Sequence, residues 1–226
     1  MPEAPNAVRE LASDPTSRKK FLRQAGGTGV AASLAVFVAA CGGDDSSSSK
    51  QSSTPTSTPM ADTSGTEQFG KGDLGIANYA LTLEYLEAQF YSDAAESGML
   101  KGKILELAKS FGANEQEHVD ALIAMVKKAG GKPADKPMAK FPLESEKAIL
   151  ELAATVENLG ANAYLGQAGN IQDKEILAAA LSIHSVEARH AAVLNLATKA
   201  PVSSGAFAKP ATAAEVLKSV KPFLVS

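Results

Sequence analysis

Ser185-Val186-Glu187-Ala188-Arg189-His190 sets a carboxylate and an imidazole three residues apart inside a long helical pattern. Residues three apart on a helix share a face, one turn removed. One Glu-x-x-His says little, because most such pairs are solvated. This chain repeats it: Glu115-Gln116-Glu117-His118 lies 72 residues earlier. The repetition extends along the whole helix. Ile104, Ala108, Phe111, Glu115, His118, Leu122 and Met125 are spaced 4, 3, 4, 3, 4, 3, and Ile176, Ala180, Ile183, Glu187, His190, Leu194 and Ala197 have the same spacing. Each set is one inward stripe with Glu and His in its middle.

The flanking segments repeat too. Glu84 is followed seven residues later by Tyr91, and Glu157 seven residues later by Tyr164, with an offset of 73 that a loop can absorb. Glu87 also lies near this stripe, but its counterpart in the second half is Gly160. The repeat therefore selects Glu84 over Glu87 as the buried carboxylate. Glu84 precedes Glu115 by 31 residues and Glu157 precedes Glu187 by 30, so folding each half back on itself brings these positions to similar depth.

From Asp73 to Ser226 the pattern is helical, rich in Ala and Leu, with no apolar run alternating at period two. Four long helices are expected, over about 73–96, 101–129, 145–168 and 173–198, with glycines just beyond the ends of the first three. A short fifth begins at Thr212-Ala213-Ala214-Glu215, a capping box, and Pro222 ends or kinks it. The first and third links are short, giving two antiparallel hairpins. The middle link, 131–144, carries Pro133, Pro137 and Pro142. Extended, it reaches roughly 46 Å, against roughly 38 Å for a 25-residue helix. It can travel the bundle's length, so that the third helix starts at the same end as the second. The fold class is all-α: a four-helix bundle with a long crossover and a short C-terminal helix.

The stripes converge on Glu84, Glu115, His118, Glu157, Glu187 and His190. Four carboxylates inside a bundle are expensive unless neutralised. Two divalent cations supply the matching charge. Glu115 and Glu187 can bridge them, Glu84 and Glu157 can bind one each, and each His adds a neutral nitrogen. Oxygen-rich sites with two imidazoles suit iron or manganese, although zinc would also bind. Glu117, Asp120 and Arg189 fall off the inner stripe and belong to solvent. His184, the remaining His, has Gly112 as its counterpart and reads as a surface residue or one behind the ligands. A bundle with a hydrogen-bonded polar centre and no metal is the plainer alternative.

This arrangement of Glu, Glu-x-x-His, Glu and Glu-x-x-His on four helices resembles the ferritin-like di-iron and di-manganese proteins. Leu83-Glu84-Tyr85-Leu86-Glu87-Ala88-Gln89-Phe90-Tyr91 is similar to the first helix of secreted bacterial ferritin-like proteins. The resemblance covers residues 73–200 and fills all six ligand positions. It implies that Tyr91 and Tyr164 hydrogen-bond to ligand carboxylates of the opposite hairpin. It also implies two Fe ions, or Mn as the alternative, and oxidation of Fe²⁺ or reduction of O₂ or peroxide. A rubrerythrin-like peroxidase carries a Cys-held electron-donor cluster, for which one Cys is too few. Manganese-catalase-like chemistry needs no external reductant and stays open. The alternative function is a non-enzymatic metal-binding or structural stress or surface protein on the same bundle.

The front of the chain reads differently. Ser17-Arg18-Lys19-Lys20-Phe21-Leu22-Arg23 is basic, a small and apolar run follows to Ala40, and Cys41 comes next. That is the order of an export signal over residues 1–40. The basic cluster resembles a twin-arginine motif with Lys19 in the second basic position. The sequence before Cys41 resembles a lipobox, which implies lipidation at Cys41 and a membrane anchor on the outer face of a bacterial cell membrane, or a periplasmic location. The apolar run is about 16 residues, short of the ~20 a span needs. Residues 41–72, rich in Ser, Thr and Pro, read as a flexible tether, and 73–226 as the bundle. A lone Cys excludes a disulfide framework. Removing residues 1–40, with 5 basic and 3 acidic side chains, leaves 17 basic and 22 acidic, a net charge of about −5. No basic patch points to nucleic acid. The partners expected are thus the membrane, Fe²⁺, O₂ or peroxide; a homodimer is compatible with the reading.

Overall fold

A computed structural model describes residues 65–225. The export signal, Cys41 and most of the tether lie outside the described residues. The described part holds five α-helices: α1 (Gly72–Glu96), α2 (Gly102–Lys128), α3 (Glu146–Ala168), α4 (Lys174–Ala197) and α5 (Ala213–Val220). Single 3₁₀ turns precede α1 at Glu67–Phe69 and follow α5 at Lys221–Phe223, the latter holding Pro222. No helix among the described residues is long and apolar enough to cross a membrane.

The helix starts are fixed by local side chains. Ser145 accepts from the Ala148 N–H, and Asp173 from those of Glu175 and Ile176. Thr212 and Glu215 form the full capping box of α5. Each satisfies donors that the first helical turn leaves without an intrahelical partner. Asp73 does similar work across elements, accepting from the backbone of Gln172 and Asp173 at 2.6–3.2 Å, which ties the start of α1 to the α3–α4 loop.

α1 packs along α2 and α3 along α4; the hairpins then meet through α1 with α3 and α2 with α4. The crossover lies along α1. Asn78 donates to the carbonyl of Lys132 and accepts from the N–H of Ala134, and Gln89 donates to the carbonyl of Ala139. The link therefore runs in the direction of α1, from the end where α2 stops to the end where α2 began. α2 and α3 are parallel, as the reach of the link allows. Its far end pairs with the C-terminus: Lys140 N–H donates to Phe223 O and Val225 N–H to Met138 O. α5 covers α3, with Val216 wholly buried and Ala211 N–H donating to Asn162 O.

Two readings of the sequence need correction. The tether was expected to reach residue 72, yet Thr66 is buried, and the Phe69 ring lies 5.7 Å from that of Tyr79. Asn78 also donates to Phe69 O. Phe69 is an aromatic at the end of a polar stretch, and partly burying it against α1 offsets the entropy of ordering its neighbours. The α4 stripe was expected to reach Ala197, which is exposed. The helix ends there, and Lys199 takes a φ of 63°. Asn195 is buried instead, paired with Asn158 of α3 at 2.9 Å.

Candidate metal centre

The inward stripes of the four long helices carry the polar centre. On α1, Ala77, Ala80, Glu84, Glu87, Tyr91 and Ala94 repeat at 3, 4, 3, 4, 3 and are all buried. On α3, Ala153, Glu157, Gly160, Tyr164 and Gln167 do the same. Small apolar residues occupy many of the other positions, so the backbones come close enough for short carboxylates to meet at the axis. Gly112 on α2 serves that approach: a Cβ there would stand 2.9 Å from Tyr91 Cβ.

The structure brings all six expected residues together. Glu84, Glu115, Glu157 and Glu187 each have 0% exposure, and His190 has 5%. His118 Nδ1 lies 2.8 Å from Glu115 Oε2, 3.2 Å from Glu84 Oε2 and 3.4 Å from Glu187 Oε1. His190 Nδ1 lies 3.0 Å from Glu115 Oε1 and 3.4 Å from Glu157 Oε2. Two overlapping groups result, each with ligand-type atoms within 4.8 Å of one another: Glu84, Glu115, His118 and Glu187; and Glu115, Glu157, Glu187 and His190. Glu115 and Glu187 belong to both. Glu117, Asp120 and Arg189 are exposed. His184 stands aside, its Nδ1 donating to the Ala161 carbonyl at 3.0 Å.

Tyr91 on α1 donates to Glu157 Oε1 on α3, and Tyr164 on α3 donates to Glu84 Oε1 on α1, both at 2.5 Å. Burial and the nearby carboxylates hold both phenols well above their ordinary range, so they act as donors. Each bond occupies one oxygen of a carboxylate and leaves the other facing the axis. Phe111 stacks on the His190 ring at 3.8 Å between centroids, fixing its plane. Ile183, its counterpart on α4, gives His118 no such support.

Burial disfavours imidazolium, but the carboxylates of Glu115, Glu187 and Glu84 overcome this and push His118 up to about 12. Likewise Glu115 and Glu157 push His190 up to about 9. Glu84 rises to about 7 through burial, against the pull of His118. Glu157 rises, and Glu187 rises well above the usual carboxylate range, both chiefly through burial. Burial raises Glu115 as well, but contact with both imidazoles outweighs it and the net shift is downward. The surrounding carboxylates thus favour the protonated form of both imidazoles. Even so, Glu115 Oε1, Glu157 Oε2, both oxygens of Glu187 and His190 Nδ1 are buried without a well-directed hydrogen bond. A group of hard oxygen donors and imidazole nitrogens, orphaned at one depth, fits divalent metal ions.

The structure adds a residue that the repeat had set aside. Glu87 is 3% exposed. The repeat alone excludes it because its counterpart is Gly160, yet a large residue facing a glycine is complementary packing. The 3–4 spacing of α1 alone would have found it.

No curated protein matches this chain in sequence. Among solved structures, a conserved hypothetical protein, rv2844, from Mycobacterium tuberculosis superposes with a TM-score of 0.52 at 19% identity, over 60% of this chain and 96% of that one. That likeness is one of fold. A family model described as a ferritin-like domain matches residues 72–200. These residues span all four long helices and all six converging side chains, more than half of the chain, and the protein therefore belongs to the ferritin-like domain family.

Proposed function

We propose that Glu84, Glu115, His118, Glu157, Glu187 and His190 hold two metal ions, iron in the native protein with manganese as the alternative. The observation that carries this is the set of buried, orphaned carboxylate and imidazole atoms at one depth of the bundle. Glu115 and Glu187, common to both groups of donors, would serve both ions, and Glu84 with His118 and Glu157 with His190 would complete one position each. When bound, the metal pair supplies electron transfer with O₂ or peroxide, and the activity is oxidation of Fe²⁺ or removal of the oxidant. The chain's own part is positional. Tyr91 and Tyr164 aim the terminal carboxylates, Phe111 braces His190, and the apolar stripes above and below keep bulk water away. We further propose that the bundle works outside the cytoplasm, exported by the twin-arginine-like leader and anchored by lipid at Cys41; the order of basic, apolar and Cys-bearing segments supports this.

The test loads the purified protein with Fe²⁺ without air and then adds O₂ or H₂O₂. Two bound irons and rapid loss of chelatable Fe²⁺ support the enzyme. Two bound ions without turnover support the non-enzymatic metal-binding scaffold. Binding unchanged in Glu115→Ala and Glu187→Ala, or none in the wild type, ends the assignment. For the anchor, Cys41→Ala releasing the protein from the membrane fraction is the expected result.

A further inference from the structure

Glu87 is not needed for the charge balance of two divalent ions against four carboxylates. It is nonetheless buried beside them, one turn along α1 from Glu84. Its Oε2 has no hydrogen-bond partner. Its Oε1 occupies a hollow left by Gly160: a Cβ there would stand 2.7 Å from Glu87 Oε1 and 2.8 Å from Glu187 Oε2. Glu187 meets the site with both oxygens unsatisfied. Oε1 faces His118 Nδ1, while Oε2 shares the Gly160 hollow with Glu87.

The two hairpins therefore differ where it matters. In the second half the position equivalent to Glu87 is Gly160, so a single carboxylate enters from one side only. Two buried carboxylates sharing a hollow, with no donor between them, make an unfavourable pair in an apolar interior. A cation between them removes that penalty. The hollow also leaves Glu87 room to reorient, since no side chain projects from residue 160.

We propose that Glu87 is a seventh ligand of the metal cluster, entering through the Gly160 hollow and making one metal position richer in carboxylate oxygen than its pseudo-symmetric partner. This rests on the two-metal reading above. The two ions then bind with unequal affinity, the oxygen-rich position favouring hard cations such as Mn²⁺ and Fe²⁺.

The experiment titrates the purified full chain anaerobically with Mn²⁺ by calorimetry, and in parallel with Co²⁺, whose visible absorption reports coordination number. Wild type should take up two Mn²⁺ in two resolved steps. Glu87→Gln should weaken one step by about tenfold or more, leave the other within about threefold, and strengthen the Co²⁺ absorption as a ligand is lost. Gly160→Ala, which fills the hollow and crowds Glu87 Oε1 and Glu187 Oε2 together, should weaken both steps, because Glu187 is common to both groups of donors. If Gly160→Ala does not fold, as judged by circular dichroism, Glu87→Gln decides alone. Wild-type constants and spectrum in Glu87→Gln overturn the proposal, since Glu87 is then a neutral acid filling space. Equal weakening of both steps in Glu87→Gln also overturns it. A wild type that binds no Mn²⁺ overturns the two-metal reading, and the seventh ligand with it.

Discussion

Tyr91 of α1 donates a 2.5 Å hydrogen bond to Glu157 of α3, 66 residues away and in the other hairpin. Tyr164 returns the same bond to Glu84. The exchange cross-links the hairpins at the depth of the cluster. Tyr91→Phe leaves one oxygen of a fully buried carboxylate without its donor, which destabilises the metal-free protein by about 1–3 kcal/mol. Tyr164→Phe should behave alike. Urea unfolding of the chelator-treated protein measures this; two variants as stable as wild type would show that the exchange is incidental.

The metal-free protein should lose stability as pH rises from about 5 to 9. His118 and His190 have folded values of about 12 and about 9, above the ordinary 6.5. Their contribution is complete below about 6.5 and declines as pH rises through the folded values. Glu84, at about 7, gives stability below its ordinary 4.5 that fades through 7. Glu157 and Glu187 shift in the same direction. Within the cluster Glu115 shifts down, so its contribution is lost toward acid. The upward shifts outnumber it. Melting temperatures across this range should fall for the apo protein and vary less once metal replaces the protons. A melting temperature that climbs steadily to pH 9 would contradict the protonated cluster.

Metal should stabilise by mass action. One ion at a hundred times its dissociation constant adds about 2.7 kcal/mol, and a chelator should reverse the gain. Binding must also expel the protons held by His118 and His190. Mn²⁺ affinity should therefore rise with pH between 6 and 8, and unbuffered solutions should acidify on loading. Glu115→Ala removes a carboxylate common to both groups of donors and should abolish the thermal shift. A shift that survives in this variant would place the ions elsewhere.

Gly166 of α3 lies under the segment leading to α5, and a Cβ there would stand 1.9 Å from the Ala211 carbonyl oxygen. Gly166→Ala must push that backbone away. It should cost about 1–3 kcal/mol or more and raise hydrogen exchange in α5. Gly169, at the end of the same helix, has open space around it and a φ of −74°. Gly169→Ala should be neutral within about 0.5 kcal/mol. Equal effects of the two substitutions in thermal melts would argue against the docking of the C-terminal segment.

Much of this molecule is legible along the chain, because a helix converts spacing into direction. The four helices, the two Glu-x-x-His pairs and the Glu-to-Tyr intervals follow from a period of 3.6 and from the cost of isolated buried charge. The internal repeat supplied pairing between segments that periodicity alone does not. The same repeat misplaced Glu87. Duplication suggests symmetry, whereas packing requires only complementarity, and a glutamate facing a glycine is complementary without being symmetric.

The six converging residues, the two hairpins and the reach of the crossover were determined by sequence alone, since each depends on local geometry and chain length. Tertiary structure decided the rest. The anchoring of the crossover on Asn78 and Gln89, the packing of Phe69 onto α1, the carboxylates that press on His118 and His190, and the burial of Glu87 beside Glu187 depend on contacts between distant segments. At the cluster they also need close approach: Gly112 makes room for Tyr91 and Gly160 for Glu87 and Glu187. Their effect is invisible until the helices are placed side by side.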